Sequence, residues 1–245
     1  MKKLFITGFL WGLLIPMVFS QTGEHTGGRF LKRIEYNLSM GIFNLDSKGG
    51  VEKLFFGDFN APVEFLYTPS FDGSSGFRIV IDSAKSSYIL EVKYISNYKE
   101  VRKETSEKYP MRGISLTDSR IMPKDTLDAI AEYNRAMSAK SFEESVKLYK
   151  VDTKTYPISN QFAENLYRKM VSTINNFKAK SIPGQIISDG YSVTFRTVVE
   201  DEVWSLNIHM PQGDARQVAN LCRQIIMDTE ANQFDESKYI TQLLE

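Results

Sequence analysis

The side chains that most often carry nucleophilic or metal chemistry are few in this 245-residue chain. It contains two histidines, His25 and His209, and one cysteine, Cys222. No H-x-x-x-H or C-x-x-C spacing is present, and tetrahedral metal sites need several such ligands together. The sequence therefore predicts no transition-metal site. It leaves His209 as the candidate general base, since His25 falls in a polar stretch rich in glycine.

A serine nucleophile would need His209 as its general base and a carboxylate, Asp189 or Asp214, to orient the imidazole. The spacing of these residues does not require such an arrangement, and DGSSG at 72–76 does not follow the G-x-S-x-G pattern. Paired carboxylates that hydrolyse glycosides are brought together by the fold and leave no spacing in the sequence. A hydrolase that uses scattered carboxylates or His209 therefore stays open as an alternative.

Phosphate-binding and calcium-binding motifs are also missing from the sequence. There is no G-x-x-x-x-G-K-[ST] loop and no G-x-G-x-x-G fingerprint. The acidic run EDE at 200–202 lacks the spacing of a calcium loop and is typical of a charged turn. With 30 basic and 30 acidic residues, the near-neutral charge gives no electrostatic argument for nucleic-acid binding. We expect no cofactor and no nucleic-acid partner.

The N-terminus has the layout of a secretory signal peptide. Two lysines precede a largely apolar, uncharged run over 4–19, which ends at the small residue Ser20. This run is shorter than the roughly 20 residues that a membrane-spanning helix needs. The sequence predicts cleavage between Ser20 and Gln21 and a location in the bacterial periplasm or outside the cell. No second apolar run of that length follows, so we expect no membrane span in the mature chain.

Two short patterns concern modification. The sequences DSA at 82–84 and DTL at 125–127 resemble the Asp-Ser/Thr-apolar acceptor for O-glycosylation used on envelope proteins by one group of Gram-negative gut bacteria. The resemblance implies Ser83 and Thr126 as candidate acceptors. A pattern of three residues also arises by chance, so the two sites remain hypotheses.

Two segments alternate apolar and polar side chains and are typical of β-hairpins. In the first, at 76–95, we expect Ile79 to face Leu90, which brings Arg78 opposite Glu91 as a favourable pair. A slip of one residue would turn the apolar side chains to the wrong face.

The same register argument applies to the second hairpin, at 190–210. We expect Val199 to face Trp204 and Phe195 to face Ile208, with EDEV as the turn. Trp204 is then a core residue. His209 falls on the opposite face of the strand, either solvated or beneath a covering element.

Helices are expected around these hairpins. The predicted segments are 97–109, 122–137, 160–177 and 213–230. The third has apolar residues at every fourth position, and the fourth carries Cys222 on its apolar stripe and Asp214 as the N-cap. A thiol buried in this way acts as a small hydrophobe. Strands are expected at 34–42, 51–57 and 146–159.

These elements predict an α+β fold, in which antiparallel hairpins form one or two sheets with helices packed on one face. A duplicated hairpin–helix unit is an alternative to two unrelated hairpins. The expected organisation is a signal peptide at 1–20, a flexible N-terminus at 21–29, and α+β halves at 30–109 and 110–245. The halves form either one domain or two.

Secretion without a catalytic constellation favours a non-catalytic binding or interaction protein of the periplasm or cell exterior. Its partner would be an unknown protein or small ligand of the envelope. The hydrolase remains the alternative.

Overall fold

The computed structural model describes residues 31–36, 48–57, 61–82, 87–115, 121–178, 189–200 and 202–244. These residues form seven strands and six helices. The strands are β1 (Leu31–Tyr36), β2 (Val63–Pro69), β3 (Ser75–Asp82), β4 (Ser87–Ile95), β5 (Val151–Ile158), β6 (Tyr191–Val199) and β7 (Glu202–His209). The helices are α1 (Lys48–Phe56), α2 (Tyr98–Lys108), α3 (Lys124–Leu148), α4 (Asn160–Asn175), α5 (Gly213–Glu230) and α6 (Ser237–Leu244).

The strands form one sheet in the order β1-β7-β6-β2-β3-β4-β5. Strand β1 runs parallel to β7, and every other neighbouring pair is antiparallel. The predicted α+β class is confirmed. Strand β2, from the segment 30–109, lies between β3 of the same segment and β6 of the segment 110–245. One sheet therefore contains strands of both.

The main core lies on one face of this sheet, beneath α4, α5 and α6. Its centre holds the rings of Phe65, Phe77 and Phe195, which come from adjacent strands and lie 5.4–5.5 Å apart between centroids. Complete burial of such side chains contributes about 1.5–3 kcal/mol each. The predicted stripe of α4 is confirmed, since all four of its residues are buried: Phe162, Leu166, Met170 and Ile174.

The first hairpin, β3–β4, has the predicted register. Ile79 pairs with Leu90, and Arg78 pairs with Glu91. The Nε atom of Arg78 donates a hydrogen bond of 2.8 Å to Glu91. The alternation of apolar residues and this charge pair both favour the same register, which is why the sequence could predict it.

The register predicted for the second hairpin, β6–β7, is wrong by two residues. Thr197, not Val199, pairs with Trp204, and Phe195 pairs with Leu206. The turn is shorter than EDEV, and Glu200 adopts a positive φ of 56° there. A shift of two residues keeps every side chain on its face, so periodicity could not exclude it. Trp204 still packs against the edge of the main core.

Three local predictions need correction. The segment predicted as a strand at 51–57 lies in α1 and the residue that follows it. The end of α3 takes in residues 146–148, which we expected in the strand that becomes β5. Gln212, not Asp214, is the N-cap of α5, and Asp214 lies in its first turn. Of the predicted strand at 34–42, only the residues up to 36 are described, and they lie in β1.

The two hairpins are not repeats of one unit in space. Both begin next to β2, with β3 on one side and β6 on the other, and both turn their apolar residues to the main core. Strands β3 and β6 are each antiparallel to β2, so they point the same way. The second strand, β4 in one hairpin and β7 in the other, therefore lies on opposite sides of the first strand. No rotation superimposes the two hairpins while both keep their apolar face on the main core. Their resemblance follows from period two alone.

Candidate functional site

Four charged side chains form a row across the sheet face opposite the main core. Arg196, Glu64, Arg78 and Glu91 pair in register on β6, β2, β3 and β4, so their charges alternate. We call these four residues the charged row. The Nη1 atom of Arg196 lies 3.4 Å from Oε2 of Glu64.

Helix α1 covers the charged row. Its Glu52 accepts a hydrogen bond of 2.6 Å from Nη2 of Arg196. At its C-terminal end, the carbonyl of Phe56 accepts one of 3.3 Å from Arg78, and that of Phe55 accepts one from Lys93. Cations at this end of a helix are favoured by the helix dipole. Phe55 and Phe56 also form a small second core here with Leu66 and Ile95.

Glu64 is the most enclosed member of the charged row, with a relative exposure of 3%. Burial raises its pKa to about 7, against the opposing effect of Arg196 and Arg78. Its Oε1 atom has no hydrogen-bond partner among the described residues. A carboxyl group with this pKa could exchange a proton near neutral pH, but α1 covers it. The charged row therefore serves first to hold α1 on the sheet.

The candidate base His209 lies on the same face, at the end of β7. Its Nδ1 atom is 3.1 Å from the hydroxyl oxygen of Ser192 on the neighbouring strand. Its Nε2 atom is buried without a hydrogen-bond partner in the described part of the chain. Neither Asp189 nor Asp214 is hydrogen-bonded to His209 within that part. The structure thus supplies a serine–histidine pair without the predicted carboxylate.

The remaining predicted sites are scattered. Cys222 is fully buried in α5, and burial raises the pKa of its thiol, as expected for a structural residue. Glu202, from the acidic run EDE, is the first residue of β7 and accepts a hydrogen bond from Trp204. Thr126 lies exposed in the first turn of α3. Ser20, Gln21 and Ser83 lie outside the described residues, as do the predicted signal peptide (1–20) and flexible N-terminus (21–29).

A helical arm, which the sequence did not predict as a site, presents a partly uncovered surface. We define the arm as α2, α3 and residues 109–115 between them. Helix α3 has 25 residues, which corresponds to about 37 Å. Helix α2 packs on its C-terminal half, where the hydroxyl of Ser145 bonds that of Thr105 at 3.2 Å and Lys108 pairs with Glu144 at 2.7 Å.

Residues 109–115 continue along the middle of α3. Asn134 exchanges two hydrogen bonds with the backbone of Arg112, at 2.8 and 2.9 Å, and Tyr133 donates one to the carbonyl of Pro110. The guanidinium of Arg112 lies 4.5 Å from the centroid of the Tyr133 ring. These contacts hold residues 109–115 against α3 near Tyr133 and Asn134.

Residues 124–132 of α3 precede these contacts, and the first half of the helix contains no buried residue. Three large apolar side chains nearby are exposed: Met111 at 65%, Ile114 at 37% and Ile121 at 78%. Isolated exposed apolar residues are common, but three on one short stretch favour an interaction surface. We call Met111, Ile114 and Ile121 the apolar tip.

No family model, no curated protein and no solved structure matches this chain in comparisons with known proteins. Among the described residues, no group of three His, Cys, Asp or Glu side chains could hold a metal ion. No helix in the same ranges is both long and apolar enough to cross a membrane.

Proposed function

We propose that this chain is an exported bacterial protein of the periplasm or cell exterior that binds a protein partner of the envelope and catalyses no reaction. The basic and apolar N-terminal sequence supports export. The observation that carries the binding function is the apolar tip beside the half of α3 that contains no buried residue.

The arm has the features of a transient interaction surface. The first half of α3 mixes apolar side chains with charges of both signs, among them Lys124, Asp125 and Arg135. Non-obligate interfaces have this mixed character and are about as apolar as the rest of a protein surface. The fixed contacts of Asn134 and Arg112 reduce the ordering that binding would require.

The test is capture of a partner by the purified protein from an envelope extract. We expect the wild-type protein to retain a partner that is lost when Ile114→Asp and Ile121→Asp are combined. The matched control is Leu244→Asp, which replaces another exposed apolar residue, at 65% exposure, on α6 and outside the arm. Equal capture by wild type and the double variant would contradict the role of the arm, and so would loss in the control.

The Ser192–His209 pair favours hydrolysis as the second candidate. Turnover of a glycan, ester or peptide substrate that disappears in both His209→Ala and Ser192→Ala would establish that function and overturn the first. His25→Ala, which changes the other histidine, is the matched control.

A further inference from the structure

A tyrosine pair and an arginine meet at one edge of the main core. Tyr67 on β2 and Tyr191 on β6 lie with ring centroids 5.2 Å apart. The guanidinium carbon of Arg223 on α5 lies 4.3 Å from the centroid of the Tyr67 ring and 5.2 Å from that of Tyr191. We call these three residues the tyrosine–arginine cluster.

The fold holds this guanidinium in place. The residues next to it on α5, Cys222, Ile225 and Ile226, are buried in the main core and fix the helix on the sheet. Cation–π contact with the two rings stabilises the guanidinium and limits its rotamers. Arg223 is thus positioned before any ligand arrives, which lowers the entropy that binding would cost.

Arg223 has no carboxylate within ion-pair distance among the described residues. The arginines of the charged row differ in this respect, since Arg78 and Arg196 pair with Glu91, Glu52 and Glu64. The guanidinium side chain is partly exposed, and it carries five N–H donors in a planar fork that matches a carboxylate. It therefore has access to solvent and more donors than its contact with Tyr67 can use.

The surroundings of Arg223 select the kind of anion. Met227 lies one helical turn further along α5 and is 55% exposed, which offers an apolar contact beside the guanidinium. Burial is the main cause of the raised pKa values of Tyr67 and Glu230, and the nearby charge of Asp72 raises both further. A negative charge close to Tyr67 would repel a phosphate dianion more strongly than a single carboxylate.

We infer that the tyrosine–arginine cluster is a binding site for a small monocarboxylate with an apolar body. The carboxylate accepts hydrogen bonds from the guanidinium of Arg223, and the apolar body contacts Met227. This site lies apart from the arm and does not depend on the partner proposed there.

The test uses benzoate as the probe, titrated into the purified full chain while the Nε–H signal of Arg223 is followed by NMR. We expect benzoate to shift this signal in a saturable manner. Benzamide, which has the same shape without the charge, should not shift it, and phenyl phosphate should bind more weakly than benzoate. Arg223→Gln should weaken benzoate binding by at least about tenfold, followed through the backbone amide signals of α5.

Two further variants separate the site from general effects. Arg223→Lys keeps the charge without the planar fork and should bind with intermediate affinity. Arg216→Gln removes another exposed cation of α5 and should leave binding unchanged. The inference is overturned if benzoate produces no saturable shift, if Arg223→Gln binds it as the wild type does, or if phenyl phosphate binds more tightly. Thermal melting of each variant confirms that it is folded.

Discussion

The Nη2 atom of Arg196 lies 2.6 Å from the Oε2 atom of Glu52, and this contact joins α1 to the centre of the sheet. Both side chains are largely enclosed, at 12% and 18% exposure. Arg196 also lies 3.4 Å from Glu64, so one guanidinium stands between two carboxylates. Its removal would leave both without their nearest counter-ion.

We therefore expect Arg196→Met to lower the free energy of unfolding by about 3–5 kcal/mol, the usual cost of breaking a buried ion pair from one side. Urea denaturation measures the change. The matched control is Arg168→Met, which breaks an exposed pair with Glu164 on α4 and should cost less than about 1 kcal/mol. Equal losses in the two variants would contradict the structural role of the charged row.

Glu64 should make stability depend on pH. Its folded-state pKa of about 7 lies above its ordinary value of 4.5, so between these values the folded protein holds a proton that the unfolded chain releases. Its contribution to the free energy of unfolding is full below about pH 4.5. This contribution, up to about 3 kcal/mol, is lost as the pH rises to about 7.

Glu64→Gln should remove this dependence. Urea denaturation of the variant across pH 4.5–8 should therefore show a flatter stability profile than the wild type. Glu164→Gln, at an exposed site on α4, should leave the wild-type profile unchanged. An unaltered slope in Glu64→Gln would show that the pKa of Glu64 is not raised.

Replacement of Asp228 should weaken the packing of the C-terminal helix α6 on α5. The buried hydroxyl of Tyr239 on α6 donates a hydrogen bond of 2.5 Å to Asp228 on α5, and Gln224 and Lys238 donate to the same carboxylate. We expect Asp228→Ala to cost about 1–3 kcal/mol, because it leaves the hydroxyl of Tyr239 unpaired in the core. Increased hydrogen exchange in α6 would report the change. Protection equal to wild type would contradict it.

Asp228 should also contribute to acid sensitivity. Burial alone would raise its pKa, but the hydrogen bonds from Lys238, Tyr239 and Gln224 outweigh burial, and its folded-state pKa lies below the ordinary 3.8. The contribution of Asp228 to the free energy of unfolding is full above about pH 3.8 and is lost as the pH falls below that value. Asp228→Asn should weaken the loss of stability between pH 4 and 2, as measured by circular dichroism. A wild-type acid profile would disprove this.

Gly76 should tolerate no side chain. It pairs with Leu66 of β2, and a Cβ atom there would lie 2.6 Å from the backbone oxygen of Phe65. We expect Gly76→Ala to lower the free energy of unfolding by about 1–3 kcal/mol through strain between β2 and β3. At Gly113 a Cβ would meet no atom within 4 Å, so Gly113→Ala is the matched control. Thermal melting distinguishes the two, and equal melting temperatures would refute the clash.

Much of the fold could be predicted because its information is local. The apolar residues from Phe162 to Ile174 recur with a helical period, which predicts a helix. The Arg78–Glu91 pair selects a single hairpin register. Helix α1 was missed because it is short and has Gly49 and Gly50 in its first turn, and glycines are typical of a turn. Its helical state depends on burial of Phe55 and Phe56, which the sequence does not display.

The candidate sites were harder to predict, because the fold assembles them from distant segments. Tyr67, Tyr191 and Arg223 belong to two strands and a helix, and each residue alone resembles ordinary surface. The charged row has the same character, since Glu64 meets Arg196 only once β2 and β6 are paired. His209 could be singled out because histidine is rare in this chain, yet its partner Ser192 could not.

The position of β2 also constrains the order in which the chain can fold. One edge of β2 pairs with β3, its neighbour in sequence, whereas the other edge pairs Val63 with Thr197 of β6. A growing chain can therefore assemble β2 to β5 while this second edge still has no partner. Open strand edges of this kind favour aggregation, so a chain that lacks β6 and β7 should depend on chaperones.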